Sequence, residues 1–104
     1  MSSSTVENYN ALATEVRVSD DTLTVELADG RTISVPLAWY PRLVHATKKE
    51  RETWRLQANG RGIHWPGVDE DISVSNLLSG HPSGESLTSL KKWLASRRKK
   101  SRTS

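Results

Sequence analysis

The chain has 104 residues, of which 35% are hydrophobic and 26% charged, and it contains neither cysteine nor phenylalanine. The length fits one small domain, and the lack of cysteine excludes disulfides and thiolate metal sites. No run approaches the ~20 apolar residues of a membrane span, and the opening MSSSTVENYN lacks the pattern of a secretory signal. We therefore expect a cytoplasmic protein with one small core and no membrane contact.

The net charge of +3 combines two parts of opposite sign. Residues 1–80 contain eight Lys or Arg against eleven Asp or Glu, whereas residues 81–104 contain seven against one. We accordingly divide the chain into a flexible N-terminus (1–10), an acidic α+β domain (11–80) and a basic segment (81–104). The basic segment comprises a linker, an amphipathic helix and a tail.

The strongest local signal is a β-hairpin. Apolar and polar residues alternate over residues 22–27 and again over residues 32–35, on either side of Asp29-Gly30. Asp-Gly between two such runs predicts a tight two-residue turn with positive φ at both positions. A further strand is expected over residues 14–18, and a weaker hairpin around Asn59-Gly60.

Short helices are expected to cover the hairpin. In LAWYPRLVHA, Trp39, Leu43 and Ala46 follow helical spacing. The sequence Thr47-Lys-Lys-Glu50 matches a capping box, which predicts a second helix over residues 48–55 with Trp54 as its anchor.

The region after Trp65 contains weaker signals. Residues 71–74 fit either the end of a strand or the entry to a helix. SVSNLLSG predicts one or two helical turns ended by Gly80.

An amphipathic helix is predicted over about residues 85–100. Its apolar side must be buried on the domain itself, on a second copy or on a partner protein. The four candidate partner-binding residues are Leu87, Leu90, Trp93 and Leu94. The candidate polyanion-binding residues are Lys91, Lys92, Arg97, Arg98, Lys99, Lys100 and Arg102.

His64 and the three acids Asp69, Glu70 and Asp71 form the pattern nearest to a metal or catalytic site. Neighbours in an extended segment alternate sides, so three adjacent acids cannot all face one ligand. We expect His64 to face solvent and the acids, Asp71 above all, to cap the following helix. A small metal-dependent enzyme centred on these residues is the least favoured alternative.

No other pattern indicates catalysis. The chain has no G-x-S-x-G motif, and its glycines do not follow the order of a phosphate-binding loop. We expect no enzyme, no catalytic or metal-binding residue and no cofactor.

Three segments carry a resemblance to a known family: DDTLTVELADGRTISVPLAWYPRLVHAT, the capping-box helix to Trp54, and GIHWPGVDEDISVSNLLSG. Ser83 to Leu94 is similar to the tail of many members. Over about residues 12–97 the chain closely resembles domain-of-unknown-function family 2442. The resemblance implies a small bacterial α+β protein, often encoded beside another small protein in pairs proposed as toxin–antitoxin systems.

The family supplies no catalytic residues to carry over. Some relatives join a similar domain to a helix-turn-helix DNA-binding domain, and nothing in this sequence corresponds to that second domain. Direct operator binding is therefore not expected.

The predicted fold is α+β: a small antiparallel sheet built from hairpins, short helices on one face, and a C-terminal amphipathic helix. The predicted function is a non-catalytic protein-interaction module, the antitoxin-like partner of another small bacterial protein. It is expected to bind that protein or a second copy of itself. The first alternative is a nucleic-acid-associated accessory protein that binds weakly and without sequence preference through its basic tail.

Overall fold

The computed structural model describes residues 11–103, with side chains over residues 11–97. The expected flexibility of residues 1–10 concerns a segment outside the described residues. The side chains of four candidate polyanion-binding residues also lie outside them: Arg98, Lys99, Lys100 and Arg102. Within the described range the elements are β1 (Ala13–Val18), β2 (Thr22–Leu27), β3 (Thr32–Pro36), α1 (Pro41–Val44), α2 (Lys48–Glu52), β4 (Arg55–Gln57), β5 (Gly62–Trp65), β6 (Glu70–Ser73), α3 (Val74–Ser79) and α4 (Leu87–Thr103). The predicted α+β class is confirmed.

The first sheet has the order β1-β2-β3 and is antiparallel throughout. Val25 in the central strand pairs with Val16 on one side and Ile33 on the other. Leu23, Val25 and Leu27 are buried, because alternate residues of a strand point to the same face. The predicted strand and hairpin are both confirmed.

The turn of this hairpin differs from the predicted one. The Leu27 N–H donates to the Arg31 carbonyl (2.8 Å) and the Gly30 N–H donates to the Leu27 carbonyl (3.0 Å), which closes a three-residue loop. Gly30 has φ +94°, whereas Asp29 does not have positive φ. The Asp29 carboxylate instead accepts the backbone N–H of Arg31 (3.1 Å). The prediction of a two-residue turn is therefore wrong: a three-residue loop ends in a left-handed glycine, as is common in hairpins.

Two short helices follow the first sheet. Pro36 ends β3, a 3-10 turn over Leu37–Trp39 leads into α1, and Pro41 occupies its first turn. The capping box of α2 is confirmed, since the Thr47 hydroxyl accepts from the Glu50 N–H (3.1 Å) and the Glu50 carboxylate accepts from the Thr47 N–H (2.8 Å).

Helix α2 ends at Glu52, earlier than the predicted Arg55. The hydroxyl of Thr53 donates to the Lys49 carbonyl (2.7 Å), and the backbone of Thr53 has left the helical region. Trp54 lies just beyond the helix and packs against the core from there.

The second sheet has the order β4-β5-β6 and contains the predicted second hairpin. Ile63 and Trp65 are buried, and His64 lies on the opposite face, as expected. A Cβ atom on Gly60 would lie 2.8 Å from the Ala13 carbonyl oxygen. This close approach requires glycine and fixes the hairpin against the start of β1.

Helix α3 follows β6 directly. It ends at Gly80, whose left-handed backbone (φ 76°) confirms the predicted C-cap. Residues 71–74 therefore contain both the end of a strand and the entry to a helix.

One core is shared by both sheets and by the short helices. Its most completely buried side chains are Trp65, Leu23, Leu37, Leu43, Ile63, Val25 and Val68. The Trp65 indole N–H donates to the Arg51 carbonyl (3.0 Å), so the largest core side chain keeps its polar atom paired. No helix in the described part of the chain is long and apolar enough to cross a membrane.

Candidate functional site around the C-terminal helix

The histidine and its acids lie on two paired strands. His64 in β5 pairs with Asp71 in β6, and the His64 Nδ1 lies 2.8 Å from the Asp71 carboxylate. Gln57 donates to the same oxygen (2.8 Å). The His64 side chain is 27% exposed on the outer face of the second sheet. His64 therefore forms a cross-strand pair with Asp71 at the surface of the sheet.

The prediction that Asp71 caps α3 is wrong. The cap is Ser73, whose hydroxyl accepts the N–H of Asn76 (3.0 Å). Asp71 is still within the strand and pairs with His64, so its carboxylate is engaged away from the helix end.

The three adjacent acids diverge. Asp69 has left-handed backbone (φ 52°) and is exposed, Asp71 is on the outer face, and Glu70 is partly buried on the inner one. Among the described residues, no three His, Asp or Glu side chains converge as a metal site would require.

Arg42 in α1 is the centre of a different cluster, one that ties the C-terminal segment to the body. Its guanidinium donates to both carboxylate oxygens of Glu85, at 2.8, 3.0 and 2.8 Å. It also donates to the carbonyls of Val68 (3.2 Å) and Asp69 (3.3 Å). The Arg42 and Glu85 side chains are only 19% and 9% exposed, so this ion pair is largely shielded from water.

A second tie lies further along α4. Arg97 donates to both carboxylate oxygens of Glu50, at 3.1 and 2.8 Å. Trp93 packs against the core, with the Arg97 guanidinium 4.7 Å and the Arg42 guanidinium 5.1 Å from its ring centre. These distances are within the range of cation–π attraction, so one aromatic ring joins the two ion pairs.

The ion pairs shift the pKa values of their members. Hydrogen bonding to Arg42 lowers the pKa of Glu85, and hydrogen bonding to Arg97 lowers that of Glu50. The hydrogen bond to Glu85 raises the pKa of Arg42. All three groups are therefore held in their charged forms.

Glu70 behaves in the opposite way. Burial raises its pKa to about 7, and the negative charges of Glu85, Asp71 and Asp69 contribute to that rise, while Arg42 opposes it. A carboxyl group that titrates near neutral pH thus lies beside the Arg42 cluster.

The predicted partner-binding residues separate in the structure. Trp93 packs on the core, Leu90 and Leu94 are half-buried, and Leu87 is 66% exposed. Helix α4 begins at Leu87, close to its predicted start. The helix thus lies on its own domain with one apolar edge left in water.

The predicted polyanion-binding residues also separate. Lys91 and Lys92 are exposed on α4, whereas Arg97 is engaged with Glu50. An open groove between α4 and the body is lined mainly by polar and charged side chains, among them His45, Asp69 and Lys92. Such a lining differs from the largely apolar walls of small-molecule pockets.

Sequence reasoning missed Arg42, Glu50, Glu70 and Glu85 as a group. Arg42 and Glu85 are 43 positions apart, and no local pattern connects them. The available signal was the single acid, Glu85, in an otherwise basic segment that also contains a tryptophan.

Comparison with known proteins is informative about the fold. A family described as protein of unknown function (DUF2442) matches residues 13–83. The chain belongs to this family. The family match covers both sheets and α3 and ends before α4, whereas the resemblance was expected to continue to about residue 97. A comparison with curated proteins gives no significant match.

Two solved structures resemble this DUF2442 chain. A protein of unknown function from Rhodospirillum rubrum has a TM-score of 0.63 at 23% identity, over 72% of this chain and 93% of that one. An uncharacterized protein from Chromobacterium violaceum, solved by NMR, has a TM-score of 0.63 at 19% identity, over 90% of this chain and 83% of that one. The second similarity must reach into α4, since residues 1–83 make up less than nine-tenths of the chain. Both likenesses concern the fold alone.

Proposed function

We propose that this protein is a non-catalytic protein-interaction module of the cytoplasm, the antitoxin-like member of a pair of small bacterial proteins. The observation that carries the proposal is the apolar edge of α4. Leu87 is 66% exposed, and Leu90 and Leu94 beside it are only half-buried. Side chains of this kind contribute to binding when a partner removes them from water.

The attachment of α4 supports the same interpretation. The helix is held by two bidentate ion pairs and one tryptophan, which fix its orientation while leaving its leucine edge outward. A rigidly placed helix loses little conformational freedom when it binds. The body of the protein thereby presents the helix as a prepared docking element.

The surrounding surface favours a protein over a small molecule. The groove beside α4 is open and largely polar, unlike the mostly apolar walls of small-molecule pockets. The expected partner is the small protein encoded beside members of this family, or a second copy of the chain.

The test is co-expression with that neighbouring protein and measurement of complex formation by size-exclusion chromatography with light scattering. Leu87→Ser should weaken the complex by roughly tenfold, about the cost of one buried leucine side chain. Thr88→Ser, at the next and exposed position, is the matched control and should bind like the parent. A complex that forms equally well with Leu87→Ser and with a Leu87→Ser, Leu94→Ser double variant would contradict the proposal, as would the absence of any complex or self-association.

A second candidate function is weak binding to nucleic acid. It is favoured by the exposed Lys91 and Lys92, which stand on the same helix as the four cations that follow Arg97 in sequence. Cations concentrated in one segment of the sequence bind phosphates without distinguishing between bases.

A further inference from the structure

Glu70 occupies an unusual position for a carboxylate. It is the first residue of β6, where it pairs with the buried Trp65, and its side chain lies on the same side of the strand as the buried Ile72. Asp71 takes the outer side of the strand. The backbone of β6 therefore directs Glu70 inward, and the guanidinium of Arg42 in α1 lies at the preceding carbonyl, that of Asp69 (3.3 Å).

Arg42 acts on two carboxylates from different parts of the chain. It is hydrogen-bonded to Glu85, and it also acts electrostatically on Glu70. Its remaining hydrogen bonds go to the carbonyls of Val68 and Asp69, immediately before Glu70. The Arg42 guanidinium therefore already lies beside the backbone that leads into Glu70, and a shift toward the Glu70 carboxylate would weaken the tie to Glu85.

We propose that ionisation of Glu70 releases the C-terminal helix from the body of the protein. With Glu70 neutral, Glu85 is the carboxylate that holds Arg42, and α4 stays docked through Glu85, Trp93 and the Arg97–Glu50 pair. With Glu70 ionised, its charge competes with Glu85 for Arg42 and repels the Glu85 carboxylate. Both effects loosen the attachment at the N-terminal end of α4.

Hydration acts in the same direction. Burial disfavours the ionised form of Glu70, and its pKa of about 7 places the change within the physiological range. Undocking α4 would admit water to the Arg42 cluster and so relieve that cost. If undocking lowers the pKa of Glu70 by one unit, the ratio of undocked to docked molecules is about ten times larger well above that pKa than well below it.

The charged groups that act on Glu70 come from three parts of the chain. Arg42 of α1 and Glu85 before α4 are the two competing partners, and its sequence neighbours Asp69 and Asp71 favour the neutral form. The Tyr40 hydroxyl is buried without a hydrogen-bond partner in the described part of the chain, and the charge of Glu70 adds to burial in raising its pKa.

The experiment is backbone amide exchange of the full chain, measured by NMR between about pH 5.5 and pH 8.5 and corrected for intrinsic rates. An isolated helix of this length is marginal in water, so undocked α4 exchanges rapidly. We expect protection of Leu90, Trp93 and Leu94 to fall roughly tenfold or more across this range and to stay far below that of Val25 and Ile63 at every pH, because opening of α4 is local and does not require global unfolding.

Three variants distinguish the proposed effect of Glu70 from a general effect of pH. Glu70→Gln should keep α4 protected at every pH, and Glu85→Gln should lower its protection at every pH, because Trp93 and the Arg97–Glu50 pair remain as its attachments. Asp71→Asn removes the adjacent outward carboxylate and should retain the transition, displaced slightly to lower pH. Loss of the transition in Asp71→Asn, or its persistence in Glu70→Gln, would overturn the proposal.

A direct titration keeps the proposal testable if Glu70→Gln does not fold. The side-chain carboxyl carbon of Glu70 can be followed in the parent protein by NMR. The expected midpoint is near neutral and coincides with the fall in α4 protection. A midpoint near the ordinary glutamate value, or α4 protection that is constant with pH, would contradict it.

Discussion

Arg42 and Glu85 form a bidentate ion pair, with N–H···O distances of 2.8, 3.0 and 2.8 Å, between residues 43 positions apart in the chain. The pair joins the family fold to the helix that follows it. Both side chains are largely buried, which distinguishes this pair from the exposed Arg17–Glu26 pair on the first sheet. Shielded, doubly hydrogen-bonded pairs of this kind are costly to break on one side only.

Arg42→Met should therefore lower the free energy of unfolding by about 2–4 kcal/mol, because Glu85 would keep its charge with the Ser89 hydroxyl but no cation beside it, and Trp93 would lose a cation above its ring. Urea denaturation checks this value. Arg17→Met is the matched control and should change stability by less than about 1 kcal/mol. Equal effects of the two substitutions would show that the Arg42–Glu85 pair has no special role in the fold.

Gly30→Val tests the loop of the first hairpin. Gly30 has φ +94°, which a β-branched residue strongly disfavours, although no atom lies within 4 Å of the place that a Cβ atom would take. We expect a loss of about 1–3 kcal/mol in the free energy of unfolding, measured by thermal or urea melting. Gly84→Val is the control, because Gly84 has equally open surroundings without positive φ. The loop assignment would fail if both variants melted alike.

Local patterns predicted the elements, since each depends on residues close in sequence. The alternation around Leu23 and Val25, the capping box of Thr47 and Glu50, and the C-cap at Gly80 all appear in the structure. The turn type was wrong because Asp-Gly also fits the last two positions of a three-residue loop, and only backbone hydrogen bonding decides between the two.

The candidate site could not be predicted in the same way. The amphipathic pattern indicated one apolar face on the helix, formed by Leu87, Leu90, Trp93 and Leu94. The orientation of the helix, however, is set by the ion pairs of Arg42 and Arg97, whose partners lie far away in sequence. Burial of Glu70 likewise depends on what packs over β6. Long-range charge pairs leave no periodic signal, so the structure is needed to find them.

The outer-face pair of His64 and Asp71 should not bind a metal ion. The two side chains supply one imidazole and one carboxylate, fewer ligands than a structural or catalytic zinc site uses. We expect a chelator to leave the melting temperature unchanged and elemental analysis to find no stoichiometric metal. One zinc or manganese ion per chain, lost in His64→Ala and retained in the control His81→Ala, would favour the enzyme hypothesis instead.

The exposed cations of α4 should bind polyanions through charge alone. Replacing Lys91 and Lys92 by Gln should reduce the slope of log affinity against log salt by about one unit for each phosphate that the two lysines neutralise. Fluorescence anisotropy with short DNA duplexes of two unrelated sequences measures this. Lys48 and Lys49, exposed on α2, provide the matched double substitution. Tight, salt-insensitive binding to one of the sequences would point to specific DNA recognition.

Glu70 should make the stability of the whole protein depend on pH. Its pKa is raised from 4.5 to about 7 in the folded state, chiefly by burial. Between those two values the folded protein binds more protons at this site than the unfolded chain does, so stability falls as the pH rises. The favourable contribution is complete below about pH 4.5 and is lost as the pH passes through about 7.

The expected size of this loss is about 2 kcal/mol, less than the full pKa difference would give because solvent reaches part of the carboxyl group. Glu70→Gln removes the titration, so the free energy of unfolding of the parent, minus that of the variant, should fall by this amount between about pH 5 and pH 8. Taking the difference cancels the titration of the histidines, which both proteins share. Glu26→Gln, which replaces an exposed carboxylate on the first sheet, should leave the pH dependence in place. If the parent and Glu70→Gln had parallel stability curves from urea denaturation, Glu70 would titrate like an ordinary glutamate and its burial would have no energetic consequence.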